Sequence, residues 1–370
     1  MTFLFVSTAY GAGDKVRIFQ TEKGPVKVER IISGLDTPWA MAMLPDGKLL
    51  ITEREGELLL VDPAKPKKKR KVRGLPKIRS QGQGGLLDVV LDPDFASNNT
   101  IYFTFSDPGT LLSSGTAIAK AQLQTGTLPR LKNVQILYSM KNKTLGGRHF
   151  GSRIVIGPKG NLFFTIGDRG ERPRAQDPFD AAGSVIRIAK DGSIPKDNPH
   201  VDGKTALPEI WSIGHRNPQG ATLNDATGEV WTLAHGAAGG DEINIARAGK
   251  NYGWPTISYG RHYSGGKIGV GNSAPGMEQP IHFWDPSIAP SGFDFYNGGA
   301  IPQWQGNLFA GALKYQMLVR LEISGNKITH EERLFESEFG RIRDVRTFHD
   351  GALWFLSNDG DSGVYRVSGG

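Results

Sequence analysis

The chain has 370 residues, 38% hydrophobic and 22% charged, with 49 Gly, 22 Pro and no Cys. This globular, turn-rich composition argues against a disordered chain and a helical bundle, and the missing Cys exclude disulfides, thiolate nucleophiles and Cys-ligated metals. The net charge is +7, but five of the basic residues form one run, Lys67-Lys68-Lys69-Arg70-Lys71, so the rest is close to neutral and no nucleic-acid partner is expected.

Residues 1–14 come first, with a short apolar patch at Phe3-Leu4-Phe5-Val6 followed by small residues. The segment lacks a basic start and a full apolar stretch, so it reads either as a trimmed export leader or as an N-terminal tail or strand. Residues 15–370 read as one domain, and no run is long enough to span a membrane as a helix. At Asp46-Gly47 a tight turn leads into the β-prone run Lys48-Leu49-Leu50-Ile51-Thr52. The basic run follows. It matches a nuclear-import pattern but reads as a solvated loop between strands. The turn-then-strand pattern returns at Asn98-Asn99 before Ile101-Tyr102-Phe103-Thr104, and at Gly160-Asn161 before Leu162-Phe163-Phe164-Thr165. It recurs at Thr227-Gly228 before Val230-Trp231-Thr232, at Gln305-Gly306 before Leu308-Phe309-Ala310, and at Asp350-Gly351 before Leu353-Trp354-Phe355. Successive turns lie 52, 61, 68, 78 and 45 residues apart. Six copies of one hairpin-like unit predict an all-β chain, a six-bladed β-propeller with four-stranded antiparallel blades. The longest interval, 228 to 306, is rich in Gly, Pro and aromatics and reads as elaborated loop. A closed ring builds its site on the axis from several blades, so functional residues are expected to be scattered along the chain.

The common catalytic signatures are missing: no Gly-x-Ser-x-Gly elbow, no phosphate-binding loop and no His-Glu-x-x-His. Gly269-Val270-Gly271 lacks the strand–turn–helix setting of a dinucleotide site. What remains is a set of polar, Gly-flanked segments. Gln81-Gly82-Gln83-Gly84-Gly85 is the first. Gly147-Arg148-His149-Phe150-Gly151 offers a base at a loop tip, and Gly167-Asp168-Arg169-Gly170 ends the next strand, where Asp168 is placed to orient His149. Gly214-His215-Arg216-Asn217-Pro218 sets a cation and an amide beside a fixed turn. Gly236-Ala237-Ala238-Gly239-Gly240-Asp241-Glu242 offers carbonyls and acids, the donors a hard cation such as Ca²⁺ prefers. Lys314, Arg341 and Arg343 add three cations, and strand alternation puts Arg341 and Arg343 on one side.

In this order and spacing, these segments resemble the soluble quinoprotein sugar dehydrogenases of the glucose/sorbosone dehydrogenase family, and within it the aldose sugar dehydrogenase branch. Gly34-Leu35-Asp36-Thr37-Pro38-Trp39 and Asn251-Tyr252-Gly253-Trp254-Pro255 complete the match, which runs from about Gly34 to Tyr365. The resemblance implies a six-bladed propeller that oxidises aldoses at C1 to lactones, with hydride passing to pyrroloquinoline quinone (PQQ) and electrons onward to an external acceptor. It implies His149 as the base, with Asp168 and Arg216 also catalytic. It further implies Gln83, His149, Arg216, Asn217, Tyr263, Lys314, Arg341 and Arg343 around the cofactor, Arg forks being suited to its carboxylates. For Ca²⁺ it implies the carbonyls of Gly236 and Ala237, with Glu242 and the Tyr252 carbonyl at a second, structural ion. The family's Gly-Pro pair is Gly236-Ala237 here, which keeps the carbonyls and gives up proline's fixed φ. Arg148 stands where the glucose-specialised branch has an acid, which favours the broader aldose branch. A periplasmic or secreted location follows from the same likeness. The alternatives are a propeller that has lost its cofactor residues and binds proteins, and a metal-dependent lactonase. The first conflicts with the complete cationic set, and the second wants acids where this chain places cations.

Overall fold

In each of the six repeats the apolar run after the turn becomes the second strand of a separate sheet. These strands are Leu49–Glu53, Thr100–Pro108, Leu162–Ile166, Glu229–Ala234, Leu308–Ala312 and Leu353–Ser357. The computed structural model describes residues 16–370. The apolar patch at Phe3–Val6, read above as leader or tail, lies outside the described residues. The innermost strands are Pro38–Met43, Leu86–Leu91, Ile154–Ile156, Pro218–Asn224, Pro290–Phe295 and Ile342–Thr347, in blades 1 to 6. Each touches the next around a closed ring. The chain is therefore the expected six-bladed propeller, with antiparallel blades. Two blades exceed four strands: blade 3 adds Lys250–Asn251 in parallel, and blade 6 adds Val16–Thr21. Among the described residues the α-helical content is one turn, Phe95–Asn98.

Among the described residues the largest apolar clusters do not lie on the axis. Six buried apolar clusters fill the six seams between blades instead. Alternation explains how one strand serves two seams: Leu50 points into the seam with blade 2, while Leu49 and Ile51 point into the seam with blade 6. A strand buried on both faces reads as an unbroken apolar run, which is why the repeats are visible in the sequence. Threonines tie neighbouring blades together. Thr52 Oγ1 donates to the Leu87 carbonyl at 2.6 Å, Thr104 to Ser152 at 2.7 Å and Thr165 to Pro218 at 2.7 Å.

Two features close and terminate the ring. Gly24–Leu35 pairs with Ser362–Gly369, so the N-terminal segment supplies the outer strand of the last blade. The basic run is not the expected loop: Lys69–Lys71 is the outermost strand of blade 1, paired with Leu59–Val61. Lysines on an outer strand blunt edge-to-edge association, and Lys71 pairs with Glu57. The interval 228–306 is elaborated as expected, with no strand between Asn251 and His282.

Candidate active site

All six inner strands run in the same sense along the axis, and their N-terminal ends carry the chemistry. His149 sits just before the inner strand of blade 3. Its φ is 55°, and Gly151 and Ser152 follow at 62° and 87°. A Cβ on Gly151 would lie 2.8 Å from the Thr165 carbonyl, so only Gly fits there. Left-handed backbone at a part-buried His is held by its surroundings. Gln83 Oε1 accepts the His149 N–H at 2.7 Å, and Asn217 Oδ1 accepts the Gly151 N–H at 3.1 Å. Two amides from neighbouring blades thus brace the loop with their oxygens and keep their NH₂ groups for a ligand. Arg169 clamps the same loop from the other side: it lies 3.5 Å from the Phe150 ring centroid and donates to the Gly146 carbonyl at 3.0 Å.

The expected carboxylate–imidazole pair is formed. His149 Nδ1 lies 2.6 Å from Asp168 Oδ1. Asp168 is fully buried, and its oxygens also accept from the Gly170 N–H at 2.7 Å and from Trp254 Nε1 at 2.8 Å. Burial pushes Asp168 up, but the hydrogen bonds from His149, Gly170 and Trp254 outweigh it and hold the carboxyl below its usual range. Burial pulls His149 down; Asp168 opposes this, and the nearby Arg216 and Arg169 reinforce it. The imidazole is therefore neutral at neutral pH, with Nδ1–H on Asp168 and the Nε2 lone pair free to take a proton.

Around this base stand the cations. Arg216 is buried, packs 5.3 Å from the Trp254 ring centroid, and donates to the His235 carbonyl at 3.1 Å. The Tyr263 hydroxyl lies beside it, although Tyr263 is 76% exposed at the mouth. Arg343 donates to Gln219 Oε1 at 2.6 Å, Arg341 to the Leu313 carbonyl at 3.3 Å, and Lys314 is exposed. Among the described residues no carboxylate forms an ion pair with Arg216, Lys314, Arg341 or Arg343, whereas Arg153 and Arg346 on the axis share Asp88 and Asp344. Burial, then Arg341, Arg153 and Arg54, push Arg343 down to about 9. A guanidinium keeps its charge at neutral pH, so this crowding is an unmet demand for anions. Arg216 Nε, Arg343 Nε and His235 Nε2 are buried without a partner. A ligand bearing several carboxylates fits that donor set.

Of the residues expected to bind Ca²⁺, Gly236, Ala237 and Glu242 lie on blade 4 and Tyr252 follows the extra strand of blade 3. Gly236 and Ala237 are buried, and the Gly236 N–H donates to Asp241 Oδ1 at 2.7 Å. Burial, with Asp241 adding to it, pushes Glu242 up to about 7. Tyr252 turns its hydroxyl onto the carbonyl of Ile245, in the strand that holds Glu242. Among the described residues no three His, Asp or Glu side chains are gathered for a metal, so an ion here would draw most of its ligands from backbone carbonyls. Sequence reasoning missed Trp254 and His235 as site residues. Trp254 was visible only as part of a matching segment, and His235 directly precedes the Gly236-Ala237 pair.

The profile of the Glucose / Sorbosone dehydrogenase family matches residues 35–366. The chain belongs to that family. It is 42% identical over 346 residues to "Aldose sugar dehydrogenase YliI" of Escherichia coli (strain K12), covering 93% of each chain. It is 28% identical over 421 residues to "Quinoprotein glucose dehydrogenase B" of Acinetobacter calcoaceticus, covering 92% of this chain and 86% of the relative. The crystal structure of the soluble aldose sugar dehydrogenase from Escherichia coli in the apo-form superposes with a TM-score of 0.88 at 41% identity, over 93% of this chain and 99% of that one. In this family member His149, Asp168 and the four cations come from blades 3 to 6, with Gln83 reaching in from the chain entering blade 2.

Proposed function

We propose that this protein oxidises aldose sugars at C1 to lactones, with PQQ as its bound cofactor. The observation that carries the reading is a neutral His149, fixed by Asp168 and Trp254, beside four cations that no carboxylate balances. Arg216, Lys314, Arg341 and Arg343 would hold the cofactor's carboxylates, and the free NH₂ groups of Gln83 and Asn217 would bond cofactor or sugar. When bound, the quinone supplies the two-electron oxidant that accepts the C1 hydride. His149 Nε2 takes the proton of the C1 hydroxyl, and Asp168 stabilises the imidazolium that results. Trp254 holds Asp168 in place and walls the pair from water. Ca²⁺ on the Gly236 and Ala237 carbonyls would add positive charge beside the cofactor, and a second ion at Glu242 would relieve its buried charge. An external acceptor restores the oxidant. The names of the two relatives support the reaction class, and the family resemblance supports a periplasmic or secreted location.

The test is direct. Cofactor-free protein is mixed with PQQ, with and without Ca²⁺, and reduction of an artificial dye is followed across a panel of aldoses. Activity that requires both additions is expected. Folded protein that binds no PQQ overturns the reading. For location, N-terminal sequencing of protein from its source is expected to show a processed start, and an intact Met1 overturns that part.

A further inference from the structure

The axis has a second mouth. The inner strands start at the candidate active site and end on the opposite face, where Val90, Ile156, Leu223, Phe295 and Thr347 lie at or near their last residues. There they border a cavity of about 460 Å³, within the range of small-molecule sites. The buried Arg153–Asp88–Asp344–Arg346 cluster lies across the axis between the two ends. This rear cavity is therefore separate from the His149 site.

Its polar groups form a graded set. Thr222 is buried and Arg346 part-buried at its base, and Asp225 and Asn297 are exposed at its mouth. Arg346 spends Nε on Asp344 at 3.1 Å and Nη2 on Asp88 at 2.6 Å, while its Nη1 has no partner among the described residues. Asp294 accepts one bond on each oxygen, from Thr222 Oγ1 and from the Thr347 N–H, both at 2.8 Å. Each oxygen keeps a second lone pair. Asn297 Nδ2 donates to Asp225 at 3.2 Å. Phe295, Phe348 and Leu223 supply apolar wall.

This chemistry selects against charge. An anion would face Asp225, Asp294 and, behind Arg346, Asp344, whereas a cation would face Arg346. A hydroxyl both donates and accepts, so neighbouring hydroxyls on one ring can take a bond from Arg346 while giving one to Asp294. A ring with a less polar face would lie against Phe348. We propose that the rear cavity is a second ligand site, which takes a neutral, polyhydroxylated compound of monosaccharide size. The proposal rests on this lining and not on the reaction assigned above.

The experiment is equilibrium dialysis of the full chain, free of cofactor, against radiolabelled glucose, with acetate and tetramethylammonium as charged controls. Saturable glucose binding is expected that persists in Arg216→Ala, which disables the front site. It should weaken at least tenfold in Thr222→Val and in Asn297→Ala, the second being an exposed position where folding is not at stake. Both substitutions should leave dye-linked activity at its starting value. Absence of saturable binding up to about 50 mM, far above the micromolar-to-millimolar span of ordinary small-ligand affinities, overturns the proposal. So does binding that is lost in Arg216→Ala, binding indifferent to both lining substitutions, or capture of either charged control in place of glucose.

Discussion

At the scale of single residues, the proposed base His149 is held by Asp168 and Gln83. His149→Ala should leave PQQ affinity near its starting value and lower turnover roughly a hundredfold or more, as loss of a general base does. Cofactor titration alongside steady-state rates checks both halves. The pH dependence follows from the direction of the shift. Burial holds the imidazole below its ordinary 6.5, so kcat/KM should rise with pH through a midpoint below that value. Asp168 favours the protonated ring, so Asp168→Asn should move the midpoint to still lower pH as well as slowing turnover. A midpoint that moves upward contradicts the pairing. Lys314→Ala should weaken cofactor binding more than it slows the bound enzyme, measured by the same titration. The His149–Asp168 pair was legible because two Gly-flanked polar segments bracket the hairpin that joins the first two strands of blade 3, which brings their ends to one rim. Trp254 was not legible in this role, since it arrives from a strandless stretch whose path depends on packing rather than on any periodicity.

At the scale of elements, the second strand of each blade was readable and the outermost was not. The former is apolar on both faces, whereas an outer strand such as Lys69–Lys71 has no such face to announce it. The threonines closing three of the repeats were visible without a visible purpose. Their function appears only in three dimensions, as cross-blade hydrogen bonds. Each also accepts a backbone N–H, and Thr104 shows the pattern: besides donating to Ser152 it accepts from the Asp88 N–H at 3.0 Å. Thr104→Val keeps the shape and strands both backbone groups in a fully buried site. It should cost about 1–3 kcal/mol in denaturant unfolding. A value within experimental error of zero refutes the latch.

At the scale of the whole molecule, the ring is held along its axis by charge rather than by oil. Arg153 is buried, bonds Asp88 at 3.1 Å and Asp344 at 2.8 Å, and donates Nε to the Gln219 carbonyl at 3.0 Å. Arg153→Met leaves two buried carboxylates short of a partner, with Arg346 alone to answer them. Destabilisation of about 3–5 kcal/mol is expected from equilibrium unfolding, larger than any single seam substitution that only shortens a side chain by one methyl. No sequence pattern announced this cluster, because its members lie on three blades and each alone looks like an ordinary charged residue. The closure of the ring carries a different consequence, one about time. The strand Gly24–Leu35 leaves the ribosome long before its partner Ser362–Gly369. At ordinary synthesis rates that gap is on the order of tens of seconds. Through that interval the strand can pair with Val16–Thr21 on one edge only, and Lys27, Glu29 and Arg30 place charge along it, which disfavours pairing with a wrong strand on the other. The sheet that closes the ring is thus built from segments made far apart in time.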